Sequence, residues 1–287
     1  MSRSTIAYTT LEIKKKPPGR EPPGFTVNRD NTVILDSVIL NLLKQYRSET
    51  FLMNSGGYYK LTKYLSVEQG FYVNHKKIYR LCSQNNLLLF TKDRRLKRKK
   101  RRAIGYHEIT AENQMWQFDL KYGYVHGENR YFFVLAFIDI FSKKVVGYYV
   151  GKACKAGDLV TTLNLALRRE GITKEHNLKI RSDNGPQMSS NEFYFYLKRL
   201  EQKLDHEFIP LRTPDRNAFI ESFFSILEIE LLQHCYFETF KDAYQAVVEF
   251  IEFYNTRRLH GSLGYLSPKA YIEGINSGQI DAVSLKA

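Results

Sequence analysis

The stretch Leu178-Lys179-Ile180-Arg181-Ser182-Asp183-Asn184-Gly185-Pro186-Gln187 decides how the chain is read. Apolar and polar residues alternate up to a carboxylate and Asn-Gly-Pro follows at once, the pattern of a strand that stops at a turn with Asp183 at its tip. A carboxylate in that position points into a cleft. Downstream, Pro214 and Asp215 are expected to open a helix that carries Asn217 and, two turns in, Glu221. Upstream, Trp116-Gln117-Phe118-Asp119-Leu120 sets a further acid in the middle of a strand. Two strands and one helix thus present three carboxylates, a donor set suited to divalent metal held through oxygen.

With their neighbours, these residues resemble the DDE transposases of bacterial insertion sequences, whose catalytic core is like that of retroviral integrase. The likeness is carried by Asp119, by Ser182 to Gln187, by Asn217-Ala218 and Glu221-Ser222-Phe223-Phe224, and by the closing stretch Phe253-Tyr254-Asn255-Thr256-Arg257-Arg258-Leu259-His260-Gly261-Ser262-Leu263. Several ordered motifs together are specific where a single carboxylate is not. The resemblance implies an α/β, ribonuclease H-like mixed five-stranded sheet flanked by helices, in which the strands of Asp119 and Asp183 are neighbours. It implies that Asp119, Asp183 and Glu221 are catalytic and hold two Mg²⁺ ions, with Mn²⁺ as a substitute and Asp119 as the bridging ligand. The implied substrate is double-stranded DNA, both element ends and target, cut and then joined in transposition. The implied partners are further copies of the chain on DNA and an upstream-frame product or fusion, in the bacterial cytoplasm, nucleoid-associated when on DNA and without a membrane. A catalytically silent DNA-binding regulator derived from a transposase is the alternative.

This chain departs from that pattern in three ways. Nothing before Asp119 supplies the zinc-binding His-His-Cys-Cys set of retroviral integrases. The spacing from Asp183 to Glu221 is slightly longer than usual. Seven positions after Glu221, where the family has a basic residue, this chain has Glu228, expected to pair with Arg257 or Arg258.

The formal net charge is +13, from 43 basic and 30 acidic residues, which favours a polyanionic partner. Much of the excess is local, because Lys92 to Arg102 holds nine basic residues and one acid. That run has no apolar period beyond Leu96 and reads as a phosphate-binding linker, with Arg94, Arg95, Lys97, Arg98, Lys99, Lys100, Arg101 and Arg102 as DNA contacts. Three scattered cysteines exclude a disulfide framework and a Cys-x-x-Cys zinc site. The longest apolar run, Tyr131 to Phe141, contains Asp139 and is too short to span a bilayer.

Residues 1–30, rich in Lys, Pro and Gly, are expected to form a flexible arm. Residues 31–90 suggest a small helical, helix-turn-helix-like domain with helices at Tyr58–Leu65 and His75–Asn85, the second capped by Asn74. Its outward face, His75, Lys76, Lys77, Tyr79 and Arg80, has the chemistry for a DNA groove. A basic linker over 91–110 leads to the catalytic core at 111–276, and 277–287 reads as a frayed tail. Further DNA contacts are expected at Lys143, Asn184, Gln187, Asn217, Arg257 and Arg258. Asp139, a buried-looking strand acid, is expected to cap the turn toward Ser142 rather than to act in the chemistry.

Overall fold

The computed structural model describes residues 23–49, 51–52, 55–89, 107–200, 204–209 and 217–286, so the basic run 92–102 lies outside the described residues. Three strands meander antiparallel: β4 (Met115–Val125), β5 (Arg130–Asp139) and β6 (Val145–Gly151). Two more, β7 (Lys179–Ser182) and β8 (Asp205–Phe208), then run parallel to β4, giving the order β6-β5-β4-β7-β8. This is the expected ribonuclease H-like sheet, with β4 and β7 adjacent.

Strand alternation sends the residues of β4 to two faces. Trp116 and Phe118 join Leu135 and Phe137 beneath Leu159 and Leu163 of α4 (Ala156–Arg169) and Phe193 of α5 (Asn191–Arg199). On the other face Val134, Ala136 and Ile138 meet Ile220, Phe223 and Leu227 of α6 (Ala218–Glu230), with Val247 and Phe250 of α7 (Phe240–Thr256) beside them. Asp158 stabilises the start of α4 from its third position, accepting from the Lys155 amide at 2.8 Å. Asp139 does cap its turn: Oδ2 accepts from the Ser142 amide at 2.7 Å and hydroxyl at 2.6 Å, and Oδ1 from the Asn113 amide at 3.0 Å.

The amino-terminal unit contains α1 (Asp36–Ser48), α2 (Tyr58–Val67) and α3 (His75–Gln84). Asn74 caps α3 as expected, accepting from the Lys76 amide at 2.9 Å, while Ile78, Leu81 and Cys82 face inward. Within the segment read as a flexible arm, the described residues include a strand: β1 (Phe25–Val27) pairs with β2 (Val33–Leu35), while residues 1–22 lie outside the described residues. The hairpin is tied to the helices where Asn28 Oδ1 accepts from the Tyr72 amide at 3.1 Å and Lys77 Nζ donates to the Phe25 carbonyl at 2.6 Å. The described part of the stretch read as a tail, residues 277–286, also carries a strand. After α8 (Pro268–Asn276), β9 (Leu285–Lys286) returns to pair with β3 (Glu108–Ile109). Among the described residues no helix is long and apolar enough to cross a membrane.

The helical unit rests on the core through Phe51, whose ring lies 5.7 Å from Phe250 and 5.3 Å from Phe253. Beside this contact, Arg258 is only 6% exposed and donates to Glu230 through Nη2 at 2.6 Å and Nε at 2.7 Å. Lys60 of α2 approaches the pair, and burial with the Arg258 charge pushes its amine down to about 8. Arg258, expected from the sequence to contact DNA, is instead a buried counter-ion of Glu230. Removing one member strands the other's charge, so Arg258→Ala is expected to cost about 3 kcal/mol in urea unfolding. The double replacement Glu230→Met/Arg258→Met, which leaves no unpaired charge, is expected to cost clearly less.

Candidate active site

Parallel pairing brings the first two acids level. Gln117 of β4 is opposite Arg181 of β7, so two residues further along each strand Asp119 and Asp183 occupy equivalent positions. β4 continues to Val125 whereas β7 ends at Ser182, which leaves Asp183 at a strand tip beside a carboxylate in mid-strand. Carboxyl ends of adjacent parallel strands are where open α/β sheets build their sites.

The third acid arrives by a hydrogen bond that the sequence did not disclose. The side-chain oxygen of Gln117, 1% exposed, accepts from the amides of Phe219 at 3.1 Å and Ile220 at 3.3 Å. These amides belong to the first turn of α6, whose N-cap residue Asn217 makes no side-chain cap. Gln117 takes over that task from the strand, satisfying donors that a helix start leaves without partners. Glu221 follows in the same first turn, rather than two turns in. A polar residue buried two places before Asp119, on the same strand face, was the available signal.

The loop after β7 is pinned from several sides. Asp183 Oδ1 accepts from the Gly185 amide at 3.0 Å, and a Cβ on Gly185 would stand 3.1 Å from that oxygen. Asn184 donates to the Ile209 carbonyl at 3.1 Å and Gln187 to the Cys154 carbonyl at 3.2 Å, so both expected DNA contacts are spent in part on holding the loop. Ser182 Oγ lies 3.0 Å from His206 Nε2, and burial lowers that ring to about 4, leaving it neutral.

Asp119 Oδ1 accepts from the Leu120 amide at 2.7 Å. Burial, aided by the charges of Asp183 and Glu221, nevertheless lifts its carboxyl to about 6. The three acids thus act on one another electrostatically. Oxygen-only donors with surplus negative charge match a hard divalent cation rather than zinc. Among the described residues, however, no three His, Cys, Asp or Glu side chains converge on a point where one ion would sit. Asp183 and Glu221 are exposed, whereas Asp119 is half-buried.

Other expected contacts divide. Lys76 and Tyr79 are exposed on α3, and His75 stacks on Tyr59 at 4.7 Å. Lys77 and Arg80 are held by Asp36, at 2.5 and 3.2 Å. Arg257 is half exposed and reaches Glu49 at 3.0 Å. Two assignments are overturned by burial. Lys143 is 8% exposed, donates to the Ile140 carbonyl and sits over the Phe219 ring at 3.7 Å, so its amine falls to about 7 and clamps no phosphate at a sheet edge. Asn217 is 2% exposed and likewise cannot touch DNA. Glu228 pairs neither with Arg257 nor with Arg258 but with Lys121 of β4, at 2.9 Å.

The strand order β6-β5-β4-β7-β8 defines a ribonuclease H-like core. Residues 109–208 and 202–268 each match a family described as "Integrase core domain", together more than half of the chain. The chain is 30% identical over 170 residues to the transposase for insertion sequence element IS904 of Lactococcus lactis, covering 57% of this chain and 63% of that protein. It is 26% identical over 211 residues to an uncharacterized protein of insertion element IS476 from Xanthomonas euvesicatoria, 72% and 58% covered. It is 27% identical over 242 residues to the putative transposase InsK for IS150 of Escherichia coli, 80% and 82% covered. The chain thus spans less than two thirds of the length of the first two. Solved structures with a likeness include the HTLV-2 integrase catalytic core domain in complex with magnesium, at 17% identity and TM-score 0.42 over 55% of this chain and 95% of that one. At that score the superposition carries no weight of its own, and the fold rests on strand order. The chain belongs to the integrase core domain family, and the curated proteins it is similar to include transposases of bacterial insertion sequences.

The raised Asp119 carboxyl has a measurable consequence. Between its ordinary value of 3.8 and about 6 the folded state binds the extra proton, so this group's contribution to stability falls as pH rises through that window and stays low above it. Asp119→Asn is therefore expected to stabilise the metal-free protein at pH 7.5 by about 1–3 kcal/mol, with the gain vanishing near pH 4. Urea unfolding at both pH values with chelator present checks this.

Proposed function

We propose that the chain is a transposase that cuts the ends of its own mobile DNA element and joins the resulting 3′-hydroxyls to target DNA. The carrying observation is the level placement of Asp119 and Asp183 on neighbouring parallel strands, with the Glu221 helix fastened to the same strand by Gln117. Family membership supports a polynucleotidyl-transfer reaction over other chemistries of this fold.

Asp119, Asp183 and Glu221 would hold two Mg²⁺ ions, with Mn²⁺ as a substitute. When bound, such a pair activates the attacking oxygen and stabilises the leaving one in an in-line displacement. The protein's own share is positional. Asp119, half-buried in mid-strand, would offer the most constrained carboxylate, with the exposed Asp183 and Glu221 supplied from the loop and the helix. Gly185 keeps the loop low at the strand tip, allowing a DNA backbone to approach closely. Water first, and then a 3′-hydroxyl, attacks phosphorus without a covalent link to the enzyme.

DNA binding outside the site belongs to the run 92–102, the exposed Lys76 and Tyr79 of α3, and Arg257. Synapsis of two ends requires more than one copy, and an upstream-frame product or fusion is a natural additional partner.

Incubating labelled inverted-repeat ends with the protein and Mg²⁺ or Mn²⁺ tests the reading. Wild type is expected to nick and join, and Asp183→Asn to lose at least about a hundredfold. Joined product separates transposition from a nuclease that only hydrolyses. Binding without metal-dependent cleavage would replace the proposal by the silent, DNA-binding alternative.

A further inference from the structure

Lys121 and Glu228 form an ion pair beside the three acids. Lys121 lies two residues beyond Asp119 on the same face of β4, about 7 Å along the strand. Glu228 lies two turns beyond Glu221 on the same face of α6, about 10 Å along the helix. Nζ and Oε2 are 2.9 Å apart, and the side chains are 31% and 32% exposed, so both remain within reach of a ligand. The other Glu228 oxygen accepts from Gln233 at 3.3 Å.

A DNA strand laid over Asp119, Asp183 and Glu221 brings its phosphates into a field of like charge. About 7 Å further along β4, some two nucleotide steps at 3.4 Å of rise each, the strand passes Lys121. A lysine ammonium on its flexible stem can exchange a carboxylate for a phosphate without moving the backbone. Gln233 then still holds Glu228. We infer that Lys121 contacts a backbone phosphate of the bound DNA strand, and that Glu228 is the counter-ion that holds it over the site in the free protein. The inference rests on the transposase reading above.

The test measures binding of a duplex ending in the element's inverted repeat across a salt series, with cleavage in Mg²⁺ and thermal unfolding alongside. Lys121→Gln is expected to lower the slope of log affinity against log salt by about 0.9, to weaken binding about fivefold at moderate salt, and to slow cleavage. Glu228→Gln is expected to bind more tightly, because the competing carboxylate is gone while the cation remains. The exchange Lys121→Glu/Glu228→Lys should return binding to within about threefold of wild type, since a cation again stands over the site. If Lys121→Gln kept the wild-type slope and cleavage, or if Glu228→Gln lost binding in step with it, the pair would be structural only and the inference overturned. A wild-type protein that neither binds nor cleaves the duplex would instead refute the transposase reading, and this inference with it.

Discussion

One side-chain oxygen holds the site together. Gln117, buried in β4, accepts the Phe219 and Ile220 amides of α6, so the helix that carries Glu221 starts where the strand that carries Asp119 dictates. Helix starts are ordinarily capped from their own N-cap, and that local solution would leave the helix free to shift along the sheet. A cap supplied by the strand removes that freedom. Losing it would leave two buried amides unsatisfied, each at about 1–3 kcal/mol, so stability and site geometry depend on the same bond. The apolar contact of Ile220 and Phe223 with Val134 and Ala136 presses the helix onto the sheet, but apolar contact has no direction and could not set the register.

The opposite end of α6 is fixed by a different kind of interaction. Glu230 is paired with Arg258 in a buried position, and Lys60 of the helical unit lies close by. His260 packs on Tyr254 at 4.7 Å with its Nδ1 3.3 Å from Arg258, and burial with that charge drops its ring to about 2. The tail signature therefore builds a neutral histidine and a satisfied guanidinium into the seam between two units. Its conspicuous basic and aromatic residues serve assembly more than ligand contact. A charge cluster of this kind tolerates no one-sided change, and it ties the placement of the Glu221 helix to the docking of the helical unit.

The strands themselves, the helices at Tyr58 and His75 and the position of Asp183 at a strand tip were legible from local rules, namely alternation, an N-cap or a turn after a strand. The sheet order and the adjacency of the Asp119 and Asp183 strands came instead from the family resemblance. What escaped shares one feature, long sequence separation. Gln117 meets α6 across more than a hundred residues, Glu228 finds Lys121 on a distant strand, and the chain end pairs β9 with β3. Lys143 and Asn217 misled for a related reason. A lysine after a strand and an asparagine before a helix look solvent-facing in one dimension, and only packing against Phe219 and the sheet buries them. The hairpin Phe25–Leu35 was hidden by its proximity to a Pro/Gly-rich stretch whose composition dominates the reading.

The distribution of charge follows a division of labour. The three acids make their own surroundings hostile to phosphate, and several described cations of the core are already paired: Lys144 with Glu170, Arg181 with Glu207, Arg258 with Glu230. Attraction of DNA must therefore come mainly from elsewhere, and the run Lys92 to Arg102 alone supplies +8 of the +13 net charge. Such charge acts over about a Debye length, some 8–10 Å in physiological salt, so it recruits a polyanion without needing to stand at the chemistry. Cations dense enough to attract DNA at the site itself would pull the Asp119 carboxyl back down from about 6. Keeping most of the positive charge on a different stretch of the sequence leaves the three carboxylates short of basic neighbours in the chain, as the proposed divalent-ion site requires.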